Sequence, residues 1–201
     1  MALIDQASNP AELRAKIVAL LTKAIPVQGL SSSDPTFPLM TGGLTTASLK
    51  KNWDVTPAGL PGQTSCNSFA GWVAQQIGFK EGTTCCMGKL DLSGVEREVP
   101  GSWVWANTGE AIDAGLCPQP GDLFCESRGA QEFGHVGIVM AIDAGTTVWK
   151  WVAGGQGGRT MGVDMLRWGP WLPKHARTFN AARTGVTGWV DVGAYFFPGA
   201  S

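Results

Sequence analysis

Gly62-Gln63-Thr64-Ser65-Cys66-Asn67-Ser68-Phe69-Ala70-Gly71-Trp72-Val73 passes from a turn into a helix, and the change of rhythm inside it decides the fold. Phe69, Trp72, Val73 and Ile77 recur at spacings of three and four and stop at Gly78. That pattern predicts an amphipathic core helix opening at Cys66 and capped by Thr64 or Ser65. A helix N-terminus presents unpaired backbone N–H groups and a partial positive charge, so a cysteine there holds its thiolate more readily than a free thiol does. Cys66 is therefore a candidate nucleophile. Downstream, Phe133-Gly134-His135-Val136-Gly137-Ile138-Val139-Met140 carries one of only two histidines. Gly134 to Ile142 reads as a buried strand, and an imidazole held on it would complete a Cys–His pair.

Outward from these two segments the chain reads as a meander. Asp143-Ala144-Gly145 is a hairpin turn, which returns Thr146 to Ala153 antiparallel beside the His135 strand. Hairpin arithmetic around Ala144 sets Val152, Ala153 and Gly154 opposite His135. Before the strand, Pro118-Gln119-Pro120-Gly121-Asp122 turns the chain into a strand at Leu123-Phe124-Cys125, with Asp122 read as an Asx turn, and a short helix is expected from Thr108 to Ala114. Near the start, Asn9-Pro10-Ala11-Glu12 combines an N-cap, a first-turn proline and a capping acid. Leu13, Ile17, Leu20, Leu21 and Ala24 follow on one face, so a helix of about four turns is expected before Pro26. Residues 27–63 are rich in Ser, Thr, Gly and Pro and read as irregular surface chain forming one wall of a cleft. A last strand is expected at Gly188 to Val192, with Tyr195-Phe196-Phe197 packing behind it. A helix bearing the cysteine against an antiparallel sheet bearing the histidine is an α+β architecture. Its 201 residues suit one domain, with a helix and lead-in over 1–60 and a catalytic core over 61–197.

Composition excludes several function classes. Fifteen Lys and Arg against 16 Asp and Glu give a net charge of −1, which offers no grip on nucleic acid or an anionic membrane. The first residues lack a signal-peptide pattern, and the apolar runs fall short of the ~20 residues of a membrane span, so the chain is expected to be made in the cytoplasm without a signal peptide. The five cysteines (Cys66, Cys85, Cys86, Cys117, Cys125) lack paired metal-ligand spacing, so no structural metal is expected. They read as buried small hydrophobes, although an oxidising compartment would allow Cys117 and Cys125 to bridge. Of nine tryptophans, Trp103, Trp105, Trp149, Trp151, Trp168 and Trp171 read as core or cleft wall, with an exposed pair beside the cysteine as the alternative. The glycine run Gly154 to Gly158 has no phosphate-loop lysine and reads as a flexible rim loop, and His175 reads as a solvated surface histidine.

Thr64-Ser65-Cys66-Asn67-Ser68-Phe69, Pro120-Gly121-Asp122-Leu123-Phe124 and Gly134-His135-Val136-Gly137-Ile138-Val139, in that order, resemble the NlpC-type and CHAP papain-like amide hydrolases that cut bacterial peptidoglycan. The resemblance covers roughly residues 60–195. It implies Cys66 as nucleophile and His135 as base, with a thioester intermediate and no metal or organic cofactor. It implies an oxyanion site at the backbone N–H of Cys66, with Gln63 and Ser65 beside it, Gln63 being three residues upstream rather than at the papain offset. The orienter of His135 departs from the family pattern, because the residues set opposite it are apolar. Gln156 and the backbone carbonyls of Ala153 or Gly154 are the alternatives, with Asp122 and Asp164 as acidic outsiders. The chain further resembles the amidase effectors that bacteria inject through a type VI secretion system. That likeness implies peptidoglycan peptide stems as substrate, a cognate immunity protein, a secretion-machine partner and action in a target-cell periplasm. A Cys–His enzyme acting on protein, and a non-catalytic wall-binding module, are the other readings.

Overall fold

Asn9 caps the first helix, α1 (Pro10–Ala24), in the computed structural model, which describes residues 1–47, 65–80, 95, 98–105, 116–127, 134–142, 148–155, 165–168, 172–173 and 185–200. The Asn9 side chain accepts from the Glu12 N–H at 2.9 Å, and the Glu12 carboxylate reaches back to the N–H and hydroxyl of Ser8 at 2.9 and 2.8 Å. Leu13, Ile17 and Leu21 line the face that the periodicity marks out, and all three are fully buried.

The lead-in after α1 is more ordered than its composition predicts. It holds a two-residue strand, β1 (Leu30–Ser31), and a one-turn helix, α2 (Phe37–Met40). Phe37, Thr41 and Leu44 are buried, and the Thr41 hydroxyl donates to the Phe37 carbonyl at 2.8 Å. Such short elements show no periodicity of their own, because their pairing and burial come from distant parts of the chain. Over residues 27–47 the irregular chain read from the sequence is interrupted by these short elements and their buried anchors; residues 48–63 lie outside the described set.

The central helix, α3 (Ser65–Ile77), ends before Gly78 as read from the sequence. Ser65 is its first described residue, and Thr64, the other cap candidate, lies outside the described set. Strands follow at β2 (Trp103–Trp105), β3 (Leu123–Ser127), β4 (Gly134–Ile142), β5 (Val148–Ala153), β6 (Met165–Trp168), β7 (Leu172–Pro173) and β8 (Gly185–Val190). They form one sheet in the order β1-β6-β5-β4-β3-β8-β2, with β7 also on β5, and every pairing is antiparallel. The tail corrects a second expectation. The last strand ends at Val190, and Asp191 then caps a short helix, α4 (Val192–Phe196), its side chain accepting from the Ala194 N–H at 2.9 Å. Tyr195 and Phe196 pack on Phe79, with ring centroids 4.5 and 4.8 Å away. The helix expected at Thr108 to Ala114 and the turn at Asp143 to Gly145 lie outside the described residues.

Period-two alternation divides the sheet residues between two cores. Leu123, Cys125, Val136, Ile138, Met140, Val152 and Val190 join the helices in one cluster, whereas Phe124, Val139, Trp149, Trp151, Ala153 and Trp189 form a second, aromatic one. Leu13, Ile17 and Leu21 of α1 and Phe69, Val73 and Ile77 of α3 belong to the first. The four indoles at Trp103, Trp149, Trp151 and Trp189 are core, not an exposed pair.

Hairpin counting from Ala144 fails by a definite amount. Ile138 faces Val152 and Val139 faces Trp151, but Ala141 faces Lys150, so Met140 is an extra residue in a β-bulge. The count from Ala144 is already off at Ile142, which faces Trp149 where the count sets Thr146, and the bulge reduces that offset from three residues to two, so Val152 stands opposite Ile138 rather than opposite His135.

Arg14 ties the two ends of the fold to this sheet. Its guanidinium bonds Asp122, at the turn into β3, and Asp191 at 2.5 Å, at the start of α4. Asp122 is not an Asx turn: its carboxylate accepts from the backbone N–H of Gln119 behind it (2.7 Å) and of Val192 (3.0 Å), and the residue is buried. Burial pushes its carboxyl up to about 7, Asp191 pushes the same way, and Arg14 with the two N–H donors pulls down. With a folded value above the ordinary 3.8, the folded protein holds a proton that the unfolded chain has released, so this group's contribution to stability falls as pH rises from 3.8 and levels off above about 7. Asp122→Asn has no such group. The stability of the wild type relative to Asp122→Asn is expected to decline across that same interval, from pH 3.8 to about 7, as read from urea unfolding midpoints. A pH-independent difference would contradict the assignment.

Candidate active site

The end of β5 runs directly into the start of α3. A Cβ on Gly154 would lie 2.5 Å from the carbonyl carbon and oxygen of Ser65 and 2.7 Å from the nitrogen of Cys66, so only glycine permits this approach. The next residue, Gly155, has φ +75°, and a Cβ there would lie 3.9 Å from Cys66 Cβ, 3.9 Å from Ser65 Oγ and 4.0 Å from His135 Cε1. Three side chains from a helix and a strand thus surround one point. Cys66, Ser65 and His135 are 7, 1 and 4% exposed. The rim-loop reading of the glycine run is corrected for Gly154, which is a buried docking residue; residues 156–158 lie outside the described set.

Cys66 and His135 are each held by their element. Cys66 is the second residue of α3, at the positive end of the helix dipole. His135 is the second residue of β4, and its ring makes an edge-type contact with Trp151 of β5, with centroids 5.4 Å apart and planes at 73°. Trp151 in turn meets Phe124 of β3 at 5.9 Å and 72°. Phe124 lies so close over β4 that a Cβ on Gly137 would be 2.8 Å from its ring. The glycine of His135-Val136-Gly137 is thereby explained by packing.

Of the site residues read from sequence, Cys66, Ser65 and His135 come together. Gln63, Gln156, Asp164 and His175 lie outside the described residues. Asp122 is engaged by Arg14, Gln119 and Val192. Ala153 and Gly154 lie at the junction, buried. Glu126, which β3 sets in register with His135, escapes a reading of the sequence. Hairpin counting finds a partner only across a short turn, and the segment joining β3 to β4 is too long for it. Cys117 and Cys125 are thiols rather than a bridge, and Cys125 is fully buried as a small hydrophobe, while Cys85 and Cys86 lie outside the described residues. Among the described residues no group of three or more His, Cys, Asp or Glu is placed to hold a metal ion.

A shallow groove of about 900 Å³ runs between α1 (Ala11, Ala15, Val18, Ala19) and Met140–Ile142, but neither Cys66 nor His135 lines it. Cys66 and His135 instead meet at the Gly155 junction. A thiol at the positive end of a helix, sharing one point with an imidazole, supplies the parts of nucleophilic acyl transfer. Residues 56–155 match the family model described as CHAP domain, a span that ends on Gly155 itself. No curated protein and no solved structure matches the chain.

Proposed function

The chain carries a CHAP domain at residues 56–155, an α+β papain-like module associated with peptidoglycan amidase or hydrolase activity, and from that premise we propose that it is a cysteine hydrolase cleaving amide bonds in peptidoglycan stem peptides. The observation that carries the assignment of residues is the junction at Gly155, where Cys66 and His135 approach the same point. His135 takes the Cys66 proton, and the thiolate attacks the amide carbon. The developing oxyanion is met by the backbone N–H of Cys66 at the helix start, with Ser65 and Gln63 beside it. Collapse breaks the C–N bond, His135 protonates the leaving amine, and water activated by the same imidazole hydrolyses the thioester to a free acid. Gln156 and the carbonyls of Ala153 and Gly154 are the groups assigned to orient the imidazole. The whole of 1–201 acts as one domain in this reading, supported by a first core cluster that draws residues from Leu13 to Tyr195.

Mass spectrometry of muropeptides released from purified sacculi tests the proposal, using enzyme in reductant with and without prior iodoacetamide treatment. Fragments from the untreated enzyme alone support it and name the bond. Intact sacculi with folded enzyme overturn it, and hydrolysis of a protein substrate instead would move the same pair to another acyl donor. The finer reading, an antibacterial effector exported by a type VI secretion system and blocked in its producer by an immunity protein, rests on the motif likeness. Lysis on periplasm-directed expression, with cytoplasmic expression harmless, is its expected signature; survival in both cases speaks against it.

A further inference from the structure

We infer that Trp151 is a positioning residue for His135, a role that rests on the hydrolase reading of the same site. The structure gives the histidine one ring neighbour among the described residues, and that neighbour is built in rather than incidental. Trp151 is 5% exposed, meets the imidazole edge-on at 5.4 Å and 73°, and is itself braced by Phe124 at 5.9 Å. Phe124 is fully buried, tilts against Trp149 at 5.7 Å, and reaches its place only because residue 137 has no side chain. Phe124 of β3 and Trp151 of β5 therefore meet across β4, and Trp151 carries that contact on to His135. Edge-type aromatic pairs have a preferred geometry, so the indole restricts rotation of the imidazole about its Cβ–Cγ bond and covers one flank of the ring. The ring is then held towards the Gly155 point shared with Cys66, and rotation away from it is the motion that Trp151 opposes.

Trp151→Leu is expected to lower kcat about two- to tenfold, the scale of an edge-type aromatic pair beyond its buried area, with KM within about twofold. Trp151→Phe, which keeps an aromatic ring, is expected to restore most of the loss. A readout that needs no substrate separates this inference from the hydrolase reading. The rate at which iodoacetamide alkylates Cys66, followed against pH by peptide mass spectrometry, reports the thiolate–imidazole pair directly. Trp151→Leu is expected to slow that reaction or displace its pH profile, and Trp151→Phe to return it towards wild type. Trp149→Leu removes another buried indole from the same cluster, one whose ring contact is with Phe124, and is expected to lower stability while leaving the Cys66 profile in place. If Trp149→Leu and Trp151→Leu shift the profile equally, or Trp151→Leu leaves it unchanged in a folded protein, the positioning role is overturned. Failure of every variant and of the wild type to cleave sacculi, with the alkylation differences intact, would instead remove only the peptidoglycan assignment.

Discussion

Cys66→Ala is expected to lower amide hydrolysis by at least about a thousandfold, His135→Ala to do much the same, and the double variant to be scarcely worse than either. The reason lies in how the pair works. The thiol of Cys66 becomes a strong nucleophile only as a thiolate, and His135 accepts its proton and later returns one to the leaving amine. Removing either member stops the same two steps, so the losses do not add. The positive end of α3 and the backbone N–H groups around Cys66 remain in both variants, and whatever residual rate survives is theirs. Initial rates of muropeptide release, measured for the two single variants and the double one, decide the matter. Additive losses would show that Cys66 and His135 act separately, and a fully active Cys66→Ala would leave only a binding role for the protein.

Gly154→Ala is expected to be the most damaging one-carbon change at the site. Its Cβ would fall 2.5 Å from the Ser65 carbonyl and 2.7 Å from the Cys66 nitrogen. Both neighbours are backbone, so no side chain can rotate away, and either the end of β5 or the first turn of α3 must move. Overpacking of this kind costs about 1–3 kcal/mol. Activity is expected to suffer more than stability, because the displaced turn carries the nucleophile, and a shift of about 1 Å at a reacting group costs on the order of a hundredfold. Gly155→Ala is the comparison: its Cβ meets nothing nearer than 3.9 Å, and the penalty is the left-handed backbone at φ +75° rather than overlap. Thermal melts beside kcat for the two variants separate the effects. A Gly154→Ala protein with wild-type melting and wild-type turnover would mean that the helix and strand do not meet as described.

The parts of this fold that are legible in the chain are those whose signal is local. Asn9-Pro10-Ala11-Glu12 and the spacing of Leu13, Ile17 and Leu21 define α1 by themselves, and β4 falls on Gly134–Ile142 as its apolar run requires. Cys66 and His135 are legible for the same reason, each standing at a recognisable element boundary. What is not legible depends on distance or on one added residue. β1 is two residues long and owes its existence to β6. The β4–β5 register, which pairs Ile142 with Trp149, is not centred on Ala144, and the extra residue at Met140 shifts it once more, so the count that set Val152 opposite His135 fails. Asp191 looks like the continuation of a strand until its carboxylate is seen capping α4. Gly137 and Gly154 look like looseness in the sequence, whereas each marks the place where another part of the chain comes closest.

Arg14 makes one further property follow. Its guanidinium holds both Asp122 and Asp191, and α1 packs against α4, so the first long helix and the last short one are clasped through a single side chain. Neither can peel from the sheet without leaving a carboxylate short of its cation. The two helices thus form one cooperative unfolding unit despite lying far apart in the chain, and their amides are expected to exchange with solvent together, in a single opening event, rather than fraying independently from either end.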